Sequence, residues 1–303
     1  MKTIEITHED KIMFPKTGIK KGDLAKYYEK IAEYMLPYLK DRPLTLHRFP
    51  EGISIKGFFQ KNASNYFPDW IRTVKLKKKD GWVNHVICDI PETLAYLVNH
   101  NTITFHVALC KVDNPDHPDR LIFDLDPPAD DFKIVVEGAK SVRELVETTL
   151  KLPTFVMTTG SKGLHIVVAL NRTENFDEVR AFAKNIAQHL CIKHPNKYTV
   201  SMQKDQREGK LVIDYIRNSY GQTTVCPFSV RAIEGAPLAT LLSWGELEDK
   251  SLDSKTYTVQ NIFDRLMKGE NPWASFERKG ISIESAKNQL HELMEQYHEK
   301  QAE

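Results

Sequence analysis

Leu121-Ile122-Phe123-Asp124-Leu125-Asp126-Pro127-Pro128 is the stretch whose reading sets the fold of this 303-residue chain. Three apolar residues followed by an alternating acid, leucine, acid describe a buried strand whose end carries two carboxylates on one side, because side chains alternate along a strand. Pro127 and Pro128 cannot donate ladder hydrogen bonds and end the strand there. Asp124 and Asp126 therefore sit at a strand end, where open sheets usually carry their chemistry. Two carboxylates side by side repel each other unless a cation lies between them, which makes a hard divalent ion the natural occupant. The plain alternative is a strand end with solvated acids.

Beyond this strand, the spacing predicts an amphipathic helix over 134–150 and a strand over 153–159. Thr158-Thr159-Gly160-Ser161-Lys162-Gly163-Leu164-His165 follows and runs into an apolar strand over 166–170. A glycine-flanked Ser-Lys turn offers a hydroxyl, an ammonium and free backbone N–H groups, the equipment for a polyphosphate. The P-loop spacing fails, and the turn enters a strand where a P-loop enters a helix. An ordinary Gly-rich hairpin is the alternative. A helix is expected over 176–190, then a polar and mobile loop over 201–210 with Lys204 and Arg207. Leu211-Val212-Ile213-Asp214 repeats the theme of an apolar run ending on an acid. A third carboxylate arriving on a neighbouring strand completes a three-acid site for two divalent ions. Arg231 is a candidate clamp for a triphosphate tail.

Before the acidic strand, Thr7 to Lys11 has the composition of a helix start, and Thr17-Gly18 reads as a turn ringed by Lys16, Lys20 and Lys21. Asp23 is placed to cap the helix that follows. Lysines at a turn leading into a helix N-terminus suit a phosphate, or simply a solvated surface. Residues 44–59 read as strands broken by Pro50-Glu51-Gly52, with Arg48 on one and the doublet Phe58-Phe59 closing the next. Alternation predicts one phenylalanine in the core and its neighbour exposed, able to stack on a base while Lys56 and Lys61 meet phosphates. Lys78-Lys79-Asp80-Gly81 matches the K-x-D-G string of nucleotidyltransferase ligases, but Asp-Gly between alternating stretches is a hairpin turn, which suffices. A helix is expected from Pro91 and a strand over 102–108 carrying His106. His106, Cys110 and His117 lack the second ligand pair of a zinc finger.

With 41% hydrophobic residues the chain can bury a sizeable core, as one large or two intimately joined domains. Its 42 basic and 41 acidic residues nearly cancel, so any nucleic-acid contact must come from local segregation of charge. Four scattered cysteines argue against a disulfide framework and fit a reducing cytoplasm. The absence of a long apolar run or signal peptide points away from membrane insertion and secretion.

Phe-Asp-Leu-Asp-Pro, Gly-Ser-Lys-Gly-Leu-His, Val-Ile-Asp-Tyr-Ile-Arg-Asn and Pro-Phe-Ser-Val-Arg occur here in order. Together the set resembles the polymerase domain of bacterial DNA ligase D, within the archaeo-eukaryotic primase superfamily, over residues 4 to about 269. The resemblance implies an α/β (α+β) fold: a primase-like core whose RRM-like sheet holds the acids, with a packed N-terminal α/β module. It divides the chain into a catalytic domain over 1–270 (N-terminal module to about 110, catalytic sheet about 111–245) and a charged helical extension over 271–303. It implies a nucleotidyltransferase that fills gaps and extends ends in non-homologous end joining, favouring ribonucleotides. The cofactors implied are two divalent ions, Mn2+ or Mg2+, with NTP or dNTP as substrate. The partners implied are 5′-phosphorylated DNA ends, nucleoside triphosphates, Ku and a DNA ligase, whether on a separate chain or in a part outside this one, in the cytoplasm at the nucleoid and without a membrane.

Carried over residue by residue, Asp124, Asp126 and Asp214 resemble the metal ligands and catalytic acids. Ser161, Lys162, His165, His106 and Arg231 resemble the nucleotide contacts, and Lys11 and Lys21 the pair holding a recessed 5′-phosphate. Phe58 and Phe59 resemble the template-stacking pair, with Lys61, Arg48 and Arg207 as nearby DNA contacts. His8 departs from the pattern, which has asparagine in the phosphate pocket. The other readings are a D-x-D phosphatase, which needs Thr or Val where Pro128 stands, and a non-catalytic DNA-end-binding module.

Overall fold

The computed structural model describes residues 4–269 and 271–302. Short strands β1 (Ile12–Phe14) and β2 (Ile19–Lys20) lead into helix α1 (Lys21–Leu39). Then come β3 (Leu44–Arg48), β4 (Phe58–Gln60), β5 (Thr73–Lys78), β6 (Gly81–Val86), α2 (Pro91–Asn99) and β7 (Thr102–Ala108). The acidic run is β8 (Arg120–Asp126), followed by α3 (Phe132–Arg143), β9 (Thr154–Thr158), β10 (Leu164–Ala169) and α4 (Phe176–Lys193). The chain closes with β11 (Tyr198–Thr199), β12 (Leu211–Asp214), β13 (Thr223–Val225), β14 (Thr240–Leu242), α5 (Ile262–Leu266) and α6 (Glu284–Ala302).

Six strands form one sheet in the order β11-β12-β8-β10-β9-β14. Its centre, β12-β8-β10-β9, takes the connectivity β8-α3-β9-β10-α4-β12, which is the split βαβ arrangement of RRM-like sheets. Alternation along β8 sends Leu121, Phe123 and Leu125 into a core with Val135, Val142, Phe182 and Ile186 of α3 and α4. Ile122 points the other way, toward a second core shared with α1 and β7, and Asp124 and Asp126 lie on that same face. The second sheet, β13-β7-β3-β4, is assembled from the N-terminal part plus β13, which returns from beyond Asp214 to pair with β7. Packing also runs across position 270. Trp273 and Phe276 are buried in the second core, and Ile283 and Leu290 in the first.

Several local expectations are corrected. Residues 7–10 form a turn, with His8 at φ 54°, and the helix begins only at Lys21, after Pro15 and the β1–β2 pair. Asp23 acts from the third position of α1, accepting from the Lys20 N–H at 2.9 Å, so it caps from inside the helix. The helix expected over 134–150 is α-helical only to Arg143 and widens into a π turn over Glu144–Thr149, where the Thr149 hydroxyl reaches the Glu144 carbonyl. Neither Phe58 nor Phe59 is core: they are 47% and 61% exposed, because β4 is a three-residue edge strand. Within 201–210 lies a 3-10 turn, Lys204–Gln206. Lys78 pairs with Gly81 across a tight β5–β6 hairpin, as the Asp-Gly reading requires. All four cysteines are unbridged, and among the described residues no helix is long and apolar enough to cross a membrane.

Candidate active site

Register places the acids. On β8, Asp124 is the cross-strand partner of Asp214 on β12 and of His165 on β10, so the three form one row across three strands. Asp126 lies two residues along on the same face. The His165 Nε2 is 3.4 Å from one Asp124 oxygen, and the Arg217 Nε is 3.1 Å from the other. The same Arg217 nitrogen is 3.3 Å from Asp214 Oδ2, while Asp214 Oδ1 accepts from the Ile216 N–H at 2.7 Å.

Electrostatics separates the three carboxyls. Burial acts to raise Asp124, but His165 and Arg217 outweigh it and bring it down to about 2. Burial and the Asp124 charge push Asp126 up to about 6 and raise Asp214 as well. Among the described residues no three donor side chains already enclose one point. The Arg217 guanidinium instead occupies the space between Asp124 and Asp214 as an internal counter-ion. The donors present on neighbouring strand positions, the carboxylates of Asp124, Asp126 and Asp214, are hard oxygens whose chemistry suits Mg2+ or Mn2+ and not a thiophilic metal.

The expected nucleotide contacts converge on the acids. His106, Asp124, Asp126, Ser161, Lys162, His165 and Arg231 line one cleft of about 160 Å³, with Arg217 and Thr223 to Val225 of β13 completing it. A larger hollow of about 490 Å³ between α4 and α6 holds Phe182, Leu290 and Met294 and none of these groups. Charge and hydrogen-bonding capacity, not size, distinguish the smaller cleft.

The Ser161-Lys162 turn is fixed on all sides. The Thr159 hydroxyl lies 3.2 Å from the Gly163 carbonyl, 3.2 Å from its N–H and 3.4 Å from the Ser161 N–H. Ser254, from far along the chain, donates to the Gly163 carbonyl at 3.0 Å. Gly160 has φ +66° with the Leu238 backbone 2.6 Å from where a Cβ would stand, and a Cβ at Gly163 would be 2.0 Å from the Leu125 carbonyl oxygen. At the turn's tip, Lys162 pairs with Asp130 at 2.7 Å.

His106 carries the cleft outward. Burial, then the Arg231 charge, pushes its pKa well below normal, so its ring is neutral at pH 7. The Phe59 ring meets it edge-on at 5.6 Å and stacks on His47 at 4.0 Å. Arg48 lies over Phe58 at 5.4 Å and donates to the His100 carbonyl, Gln60 and the Tyr66 hydroxyl at 2.8, 2.7 and 3.0 Å. Lys61 donates to the Gly221 carbonyl at 3.2 Å.

Lys21 is buried and donates to the Thr7 carbonyl at 2.7 Å, while Lys11 pairs with Glu51 at 3.2 Å. Burial and then the Lys11 charge lower the Lys21 pKa, so two cationic groups share one neighbourhood, an arrangement that suits an anion. His8 takes a left-handed conformation, which asparagine and histidine both adopt more readily than most residues. Arg207 folds onto its own loop, donating to Met202 at 3.3 Å, and does not line the cleft.

Sequence reasoning gave no role to Arg217, Thr159 or Ser254. The signal for Arg217 was a base three residues after Asp214, beside it on the helical turn Ile216–Asn218. For Ser254 there was none.

The sequence matches the family described as LigD, primase-polymerase domain, over residues 20–273. It is 31% identical over 277 residues to the bifunctional non-homologous end joining protein LigD of Bacillus subtilis, covering 91% of this chain and 44% of that one. It is 33% identical over 276 residues to the multifunctional LigD of Pseudomonas aeruginosa, covering 90% and 33%. The fold superposes on the polymerase domain from Mycobacterium tuberculosis ligase D in complex with DNA with a TM-score of 0.86 and 29% identity, covering 92% of this chain and 100% of that chain. The chain thus spans less than half the length of these curated relatives.

Proposed function

The chain belongs to the LigD primase-polymerase family, and from that premise we propose that it is a DNA-directed nucleotidyltransferase that extends primer ends across 5′-phosphorylated gaps during non-homologous end joining. One observation carries this reading: the acids Asp124 and Asp126 share a cleft with hydroxyls, an ammonium, two imidazoles and two guanidinium groups, with Asp214 on the strand beside Asp124. That is a site for a polyphosphate beside divalent cations.

Asp124, Asp126 and Asp214 are the residues to hold two divalent ions, which when bound activate a 3′-hydroxyl and neutralise the triphosphate. The chain's own groups do the rest. Ser161, Lys162, His165 and Arg231 orient the triphosphate along the turn, and the fixed backbone of that turn limits reorganisation as charge moves. Neutral His106, backed by Phe59, positions the nucleotide beside the template base. Lys11 and Lys21 take the downstream 5′-phosphate, and Phe58 and Phe59 the template, with Lys61, Arg48 and Arg207 near its backbone. Ribonucleotide and Mn2+ preference, and action with Ku and a ligase, belong to the same proposal.

Extension of a gapped duplex bearing a 5′-phosphate, with ribo- and deoxyribonucleotides and each metal offered separately, tests it. Asp126→Ala abolishes extension and leaves DNA binding intact; extension retained by that variant overturns the assignment.

A further inference from the structure

Two groups assigned to DNA, Lys21 and the Phe58 ring, are each linked through one intermediate residue to the C-terminal end of α2. Asn99 Oδ1 accepts from the Thr7 N–H at 2.9 Å, and Thr7 in turn accepts from Lys21 Nζ at 2.7 Å. One residue on, the His100 carbonyl accepts from Arg48 Nε at 2.8 Å, and Arg48 covers Phe58 at 5.4 Å. Tyr66 packs on the Arg48 side of this end of α2. Its hydroxyl takes a hydrogen bond from Arg48 at 3.0 Å, its ring rests on His100 at 5.5 Å and 31°, and Phe67 meets it edge-on at 5.2 Å. The segment leading to it is tied to β4, because Gln60 Nε2 donates to Ser64 and to the Asn62 carbonyl, each at 2.9 Å.

Supported on one side in this way, Tyr66 is nevertheless 58% exposed. A tyrosine held rigid with an open face, beside a guanidinium and next in line to an exposed Phe58, is built for a flat, electron-rich partner beside phosphates. We propose that Tyr66 is a further nucleobase-stacking position, engaging a base of the DNA beside the one met by the Phe58-Phe59 pair. The inference rests on the DNA-binding reading above and assigns a contact that the sequence motifs do not mark. Arg48 is then shared: it lies over one stacking ring and fixes the hydroxyl of the other, so the two rings keep a set spacing.

The test uses the full chain and a gapped duplex with a downstream 5′-phosphate, carrying 2-aminopurine at successive template positions around the gap. Tyr66→Ala weakens binding about tenfold, in line with the loss of one stacked base, and removes quenching at one template position. Tyr66→Phe keeps the ring and both signals. The preference for 5′-phosphate over 5′-hydroxyl persists in both variants, since Lys21 is untouched. Unchanged affinity and quenching in Tyr66→Ala overturn the proposal. Because binding is read without nucleotide, the comparison decides the role of Tyr66 even if the wild-type chain binds the duplex and fails to extend it, a result that would instead sink the polymerase reading.

Discussion

Asp126 stands in two demanding relationships, buried and next to a carboxylate, and its pKa of about 6 records both. The sign of its effect on stability follows. Unfolded, the group titrates near 3.8, so between there and about 6 the unfolded chain loses its proton while the folded one keeps it, and stability falls as pH rises through that window. At about 1.4 kcal/mol per pH unit the cost above pH 6 is at most about 3 kcal/mol. Metal-free Asp126→Asn is therefore expected to have a higher Tm than wild type at pH 7.5, with the gain gone at pH 4; a constant difference across pH refutes this origin. Thr159 works by geometry instead. Thr159→Val keeps the shape but removes the hydroxyl that the Ser161 and Gly163 N–H groups point to, so the nucleotide KM should rise roughly tenfold with kcat little changed. Thr159→Ser, which retains the hydroxyl, should restore it; equal KM values in all three proteins would exclude the staple.

At the scale of elements, the β8–β10 pairing carries the site, and its tightest point is Gly163 against the Leu125 carbonyl. A Cβ placed 2.0 Å from backbone oxygen has nowhere to go. Gly163→Ala should destabilise the fold by about 2–3 kcal/mol in denaturant unfolding and displace the Ser161-Lys162 turn, and an unaltered unfolding midpoint would contradict that packing. For the proposed DNA contacts the corresponding ties run to the end of α2, where Asn99 and the His100 carbonyl bond Thr7 and Arg48. Losing the Asn99 side chain frees Thr7 and with it Lys21, so Asn99→Ala should reduce the preference for a 5′-phosphate over a 5′-hydroxyl several-fold while leaving extension of an unphosphorylated gap unchanged. Periodicity exposed most of these elements in the sequence, including α2, β7, β8 and α4. Others it misjudged, because two-residue and three-residue strands such as β2 and β4 carry too few positions for alternation to show which face is covered.

For the molecule as a whole, the 42 bases and 41 acids leave a net charge of +1, so the DNA affinity proposed for it would rest on local groups and not on a general positive field. Several side chains after 270 reach into the two cores: Trp273, Phe276, Ile283 and Leu290 are all less than 5% exposed. Truncation at Gly269 should therefore lower the Tm by more than about 10 °C or abolish soluble expression, as the loss of four large core side chains implies; a well-folded truncated chain would show that these contacts are dispensable. The sequence by itself determined the local chemistry: an apolar run ending in Asp124 and Asp126, another ending in Asp214, a Gly-Ser-Lys-Gly turn and the Phe58-Phe59 doublet, though not that both of its rings are exposed. These are legible because alternation, turn geometry and charge repulsion act over a few neighbouring residues. Only the tertiary structure decided that Asp214 and His165 flank Asp124, that Arg217 lies between two acids, that Ser254 braces a turn 91 residues earlier, and that the end of α2 bonds both Thr7 and Arg48. Strand order and register are set by the packing of whole faces in two cores, and no short stretch of sequence carries that information.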